Sequence, residues 1–209
     1  ESGIHCMTSG NHIWDKKEVF DYINDSDVLI RPLNYPNCEW GEGYKIFNVQ
    51  GIRICVTNLL GRTFMTPVNS PFDEIKKLSE ELKNKADLIF VDFHAEATSE
   101  KRAMGFYLDG RVTAVFGTHT HVATADEQVL PGGSGYITDL GMCGSENSIL
   151  GIKSDIIISR YLGTEGQRFI FDDSNIVING IIVDTNPNGF GIKNIKRIKI
   201  TEEDYENSK

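Results

Sequence analysis

Cysteine and histidine are scarce in this chain, with four and five copies among 209 residues. Cys6, Cys38, Cys55 and Cys143 form no CxxC pair and stand far apart, so they read as free thiols of a reducing compartment rather than disulfides or metal ligands. No apolar run is long enough to span a bilayer. No basic start runs into an apolar stretch, as a secretory signal would. Both absences favour a cytoplasmic protein without a membrane partner. Basic residues are outnumbered, 21 against 30 acidic, for a net charge of −9. A duplex nucleic-acid binder needs a basic footprint to neutralise phosphates, and an anionic membrane surface asks for the same. Neither fits. Internal repeats and low-complexity segments are missing too.

What remains is ordinary globular material, 40% hydrophobic and 24% charged. That suffices for one domain with a real core, taken here as residues 1–209. Strand-like runs fall at 4–8, 28–30, 45–49, 52–58, 87–93, 112–116 and 136–140. Gln50-Gly51 marks a tight hairpin between two of them. The run 87–93 is almost continuously apolar, as in a strand buried on both faces. Helical spacing appears at 15–23, with Asp15 as cap, and at 71–83, where Phe72, Ile75, Leu78 and Leu82 share a face behind Pro71. Two more helices are expected at 98–108, capped by Thr98 or Ser99, and at 155–162. From residue 168 onward the pattern predicts three strands, with turns at 172–174 and 186–189. The glycine-rich stretch 131–135 lacks the Lys-Ser/Thr of a phosphate loop and reads as a turn. Apolar strands with intervening helices and hairpins imply a layered α/β domain with mixed sheets.

Four of the five histidines follow one logic. His12, His94 and the pair His119/His121 each lie just past an expected strand, and active sites of α/β sheets gather at the carboxyl ends of strands. Three separate strands would deliver imidazoles to one rim. In an extended segment His119 and His121 would point to the same side, toward one metal or two neighbouring ones. Asn11 beside His12 is a legitimate oxygen ligand, or else simply a helix-start residue. His94 alone reads equally as a core histidine. His5, inside the first strand, reads as structural. Arg62 is a candidate for a substrate phosphate or a surface ion pair. Glu96 and Glu100 are candidates for orienting ligand histidines, or are solvated. Trp14 suits a base stack or, more readily, a core role.

Taken together these residues resemble the calcineurin-like metallophosphoesterases. Gly10-Asn11-His12 matches their GNH(D/E) motif, and residues 117–121 match their GHxH motif with Thr118 inserted before the first His. The longer strings at 10–18, 61–64, 92–101 and 117–121 resemble, more narrowly, the YmdB-like family of cyclic-nucleotide phosphodiesterases, over residues 3–200. The resemblance implies an α/β/β/α sandwich and two divalent metal ions, iron or manganese. Asn11, His94 and His119 would bind one metal and His121 the other. His12 would be the general acid that protonates the leaving oxygen. Two metals roughly 3.5–4 Å apart would clamp a phosphodiester, by the resemblance a 2′,3′-cyclic one, and acidify the attacking water. Neutral ligands would leave the positive charge that an acidic protein needs there. A homo-oligomer is also consistent with the family.

The family's opening GD(V/I)VG and GEN motifs, which supply an Asp, a bridging Glu and an Asn, have no counterpart here. The expectation is therefore a sandwich incomplete at its N-terminus, with the His121 metal short of carboxylates. Two other functions compete. An amidohydrolase would carry its HxH near the first barrel strand and needs a longer chain. A regulatory module or pseudoenzyme would keep the fold without a complete metal pair.

Overall fold

The computed structural model describes residues 3–163, 168–186 and 191–208. The elements run β1 (Met7–Thr8), β2 (Leu29–Ile30), β3 (Tyr44–Val49), β4 (Ile52–Leu60), α1 (Pro71–Leu82), β5 (Leu88–His94), α2 (Thr98–Leu108), β6 (Ala114–Thr118), β7 (Gln128–Val129), β8 (Gly135–Ile137), β9 (Gly144–Ser145), α3 (Ser154–Tyr161), β10 (Ile176–Thr185), β11 (Ile192–Thr201) and α4 (Glu202–Asn207). Six strands form a mixed sheet in the order β3-β4-β5-β6-β8-β7; β11-β10-β9 and β1-β2 make two smaller sheets. β4, β5, β6 and β8 are mutually parallel, while β3 and β7 pair antiparallel at the two edges.

Hydrophobic patterning explains the layers. β5 is buried along most of its length because both of its faces are covered. One cover is helical. Ile75, Leu78 and Leu82 of α1 and Met104 and Leu108 of α2 pack with Leu59, Val91 and Phe93 of the sheet. Pro71 opens α1, and the Ser70 hydroxyl accepts the Asp73 N–H at 3.3 Å, so this helix is properly started. α2 lies so close to β8 that a Cβ on Gly105 would meet Tyr136 Cδ2 at 2.4 Å. Farther along the sheet, the β10–β11 hairpin packs over β7 and β8. Ile192 and Ile195 are buried, and a Cβ on Gly135 would fall 2.6 Å from Ile192 Cδ1. Helices, sheet and second sheet thus stack as the α/β layers that the sequence implies.

The structure corrects several local expectations. Residues 15–23 are not an α-helix: only Lys17–Asp21 winds, as a 3-10 helix. Asp15 is engaged with the His12 ring instead of capping, and Val19 and Ile23 bury against Ile13 and Leu29 as a small satellite core. Trp14 stacks on Phe20 at 5.0 Å between ring centroids and meets Tyr35 edge-on, which is the packing role. His5 is exposed and precedes the two-residue β1 rather than lying in a strand. α2 takes its cap position at Ala97, with no side-chain cap from Thr98 or Ser99. Among the described residues two strands rather than three follow residue 168; β10 finds its other neighbour upstream, in β9. The 172–174 turn closes on Asp172, whose Oδ1 accepts the Ser174 N–H at 2.9 Å. Residues 187–189 of the other turn lie outside the described residues. The Gln50-Gly51 hairpin holds, with φ of 53° and 87° at its two corner residues. All four cysteines are free thiols, and among the described residues no helix is long and apolar enough to cross a membrane.

Candidate metal centre

The carboxyl ends of β5 and β6 and the turn after β1 meet at one rim. Asn11 sits in a 3-10 turn, Gly10–His12. The turn needs glycine at its first position: Gly10 has φ 61°, and a Cβ there would approach the His94 ring to 2.5 Å. Its backbone N–H donates to Asn58 Oδ1 at 3.0 Å. Asn58, fully buried on β4, donates through Nδ2 to the Asp92 carbonyl and carboxylate, each at 3.1 Å. Asp92 Oδ2 and Oδ1 are thereby both occupied, since Thr118 Oγ1 donates to Oδ1 at 2.7 Å. Burial pushes the Asp92 carboxyl up to about 6, so it is mainly ionised at neutral pH.

This scaffold sets the protonation of the histidines. The Thr118 hydroxyl already donates its hydrogen bond to Asp92, so its oxygen accepts from His94 Nδ1–H at 2.9 Å. His94 stays neutral: burial first, and the neighbouring His119 second, push it down to about 3. Its Nε2 therefore carries a bare lone pair, 2.7 Å from Asn11 Oδ1 and 3.1 Å from His119 Nδ1. His119 Nε2 meets Glu96 Oε2 at 3.1 Å. Its N–H belongs on that side, which leaves Nδ1 as a second lone pair. Burial also lowers the His119 pKa. Three acceptors, one amide oxygen and two imidazole nitrogens, thus converge, and among the described residues they face only each other. Each ring is oriented by an oxygen behind it, as in metal-ligating histidines. This donor set fits one divalent cation. Among the described residues there is no group of three His, Cys, Asp or Glu placed to hold a metal, so the amide oxygen is needed to make up the set.

The other two expected site residues neighbour this trio but turn their Nδ1 atoms to other partners. His12 follows Asn11, is largely exposed, and turns Nδ1 to Asp15 Oδ2 at 2.8 Å. His121 is exposed, with Nδ1 3.4 Å from the Leu150 carbonyl. The 119–121 segment is not extended as expected: His119 and His121 have φ of 104° and 65°, so the chain bends, and the two rings meet different partners. Such backbone is uncommon for histidine and holds only where the surroundings enforce it. Here Asp139 accepts the Thr120 N–H at 3.2 Å and the Gly141 N–H at 2.8 Å while paired with Lys101 Nζ at 2.5 Å, deep in the interior. Gly117 lets β6 pass close to the next strand; a Cβ there would fall 1.8 Å from the Thr138 carbonyl oxygen. Glu96 thus orients a histidine as one reading foresaw, whereas Glu100 turns to the loop at 62–63 instead. His121 borders a cavity of about 500 Å³ reaching to Asn179 and Arg197 on the second sheet.

Sequence reasoning missed Asn58, Asp92, Thr118 and the Lys101–Asp139 pair. Their one signal was polarity inside apolar runs, as at Asn58 in residues 56–60 and Asp92 in 88–93.

A profile of the YmdB-like proteins matches residues 1–198. The chain belongs to the YmdB-like family. A 2′,3′-cyclic-nucleotide 2′-phosphodiesterase of Bacillus subtilis is 43% identical over 203 residues, which are 97% of this chain and 77% of that protein. Two solved structures share this YmdB-like fold. One, from Thermus thermophilus, is described as a hypothetical protein; it is 38% identical with TM-score 0.88 and covers 96% of this chain and 77% of its own. The other, described as a novel phosphatase from Mycoplasma pneumoniae, is 36% identical with TM-score 0.87 and covers 94% and 72%.

Proposed function

We propose that residues 1–209 act as one metallophosphoesterase domain that hydrolyses a cyclic nucleotide phosphodiester, of the 2′,3′ type. The observation that carries this reading is the convergence of the Asn11, His94 and His119 lone pairs at 2.7 and 3.1 Å. These three would hold one divalent cation, iron or manganese. His121 would be one donor of a second, whose other donors the described residues do not supply. Cations at this rim would offset the negative charge of the phosphodiester and make a water nucleophilic at neutral pH. The chain's own residues do the rest. Thr118 and Glu96 hold the two imidazoles in the ligating tautomer. His12 is the general acid: Asp15 fixes its Nδ1 side, and Nε2 is left to give a proton to the departing ribose oxygen. The relative's name supports this choice of substrate.

Elemental analysis of the purified protein, together with a cyclic-nucleotide panel, tests the proposal. Metal bound by wild type, lost in His94→Ala but kept in His12→Ala with turnover reduced roughly 100- to 10,000-fold, is the expected pattern. Full turnover in His12→Ala would remove its assigned role. A second reading, a regulatory module of the same fold, draws on the lack of a three-residue His/Cys/Asp/Glu group among the described residues. It predicts neither stoichiometric metal nor turnover.

A further inference from the structure

The loop after β4 leaves the sheet beside the metal-centre rim. Leu60 stands opposite His94 in the parallel register, and Gly61 N–H donates to the His94 carbonyl at 2.9 Å. A Cβ on Gly61 would lie 2.5 Å from Ala95 Cβ, so the loop begins pressed against the residue that follows His94. Glu100, in the first turn of α2, then takes both next backbone amides: Arg62 N–H at 2.9 Å and Thr63 N–H at 3.2 Å. Charge-assisted bonds of this kind fix the loop's path.

Two side chains are nevertheless turned outward from this fixed backbone. Phe64 is 90% exposed, the most exposed of the large hydrophobic side chains among the described residues, and its φ is 61°. A phenyl ring in water is unfavourable, and left-handed backbone is unfavourable for a bulky residue. Neither burial nor backbone preference accounts for phenylalanine at this position. The Arg62 side chain is exposed, and among the described residues it has no ion-pair partner. An unpaired guanidinium and an unpacked aromatic ring, two residues apart on a pinned loop, match the two halves of a nucleotide. Any base offers a π-face to an aromatic ring, and a guanidinium meets phosphate oxygens in bidentate fashion.

We propose that the 62–64 loop is the substrate-selecting arm of the centre, with Phe64 stacking on the nucleobase and Arg62 meeting the phosphate. The inference rests on the phosphodiesterase reading and adds the element that tells nucleotides from base-free esters. The test compares adenosine 2′,3′-cyclic phosphate with the base-free methyl riboside 2′,3′-cyclic phosphate, using the metal-loaded protein. Phe64→Ala lowers the ratio of the two kcat/KM values by on the order of tenfold, and Phe64→Trp restores it. Arg62→Ala lowers kcat/KM on both substrates and keeps the ratio. A ratio unchanged in Phe64→Ala overturns the stacking role, and unchanged kinetics in Arg62→Ala overturn the phosphate role. If wild type turns over neither substrate, the phosphodiesterase reading fails by itself. Calorimetric titration with adenosine 3′-phosphate against ribose 3-phosphate then decides: weaker binding of the nucleotide alone in Phe64→Ala sustains the arm, and equal binding in wild type and variant overturns it.

Discussion

At the scale of single residues, one hydroxyl sets the chemistry of the rim. Thr118 donates a hydrogen bond to Asp92 and accepts one from His94. Thr118→Val keeps the side-chain shape and removes both bonds. It should cost about 1–3 kcal/mol in urea unfolding, the penalty of leaving buried groups unmet. It should also weaken metal binding on the order of 10- to 100-fold, as loss of an outer partner does; titration of the metal-free protein measures this. Gly10→Ala tests the neighbouring contact. The left-handed φ and the 2.5 Å approach to the His94 ring both oppose a methyl group, so metal binding should fall even though no ligand is altered. The histidines themselves were legible in the sequence because they follow apolar strands, and strand ends converge. Thr118 and Asn58 were not, because a polar residue within a strand does not reveal which partner it meets across the sheet.

The elements differ in how strongly their own sequence fixes them. α1 has a cap, an N-terminal proline and an apolar stripe, and it starts at its expected residue. β5 needed only its run of apolar residues. The segment 15–23 shows the opposite case. Its spacing suits an α-helix, but the aromatic packing of Trp14, Phe20 and Tyr35 and the capture of Asp15 by His12 impose a tighter winding. The bend at 119–121 was equally hidden, since its geometry is set by Asp139, a residue almost twenty positions away. Because α1 is anchored by its stripe, Ile75→Ala, at a fully buried position, should cost about 2–5 kcal/mol with little change at the metal centre. Parallel denaturation and metal-binding curves would separate those two effects.

Over the whole molecule, acidic residues predominate, and a few are tied to specific cations. Asp87 joins the end of the α1–β5 connection to Arg53 on β4, at 2.7 and 3.0 Å. The Arg53 side chain first, and its backbone N–H second, hold the Asp87 carboxyl down at about 2. A carboxylate lowered in the folded state stabilises the fold above its unfolded pKa of about 3.9, and that contribution is lost as pH falls toward 2. Arg53→Met should therefore flatten the decline in stability between about pH 4 and pH 2, as followed by circular dichroism. Lys101 and Asp139 present a different situation, being an ion pair sealed between α2 and the strand-end loop at 1% exposure each. Replacing one member strands the other's charge in a dry interior. Neither position can drift by itself. A descendant chain that gives up this bond has to exchange both codons nearly together, and must then find another anchor for the Thr120 amide before its bend of histidines can survive.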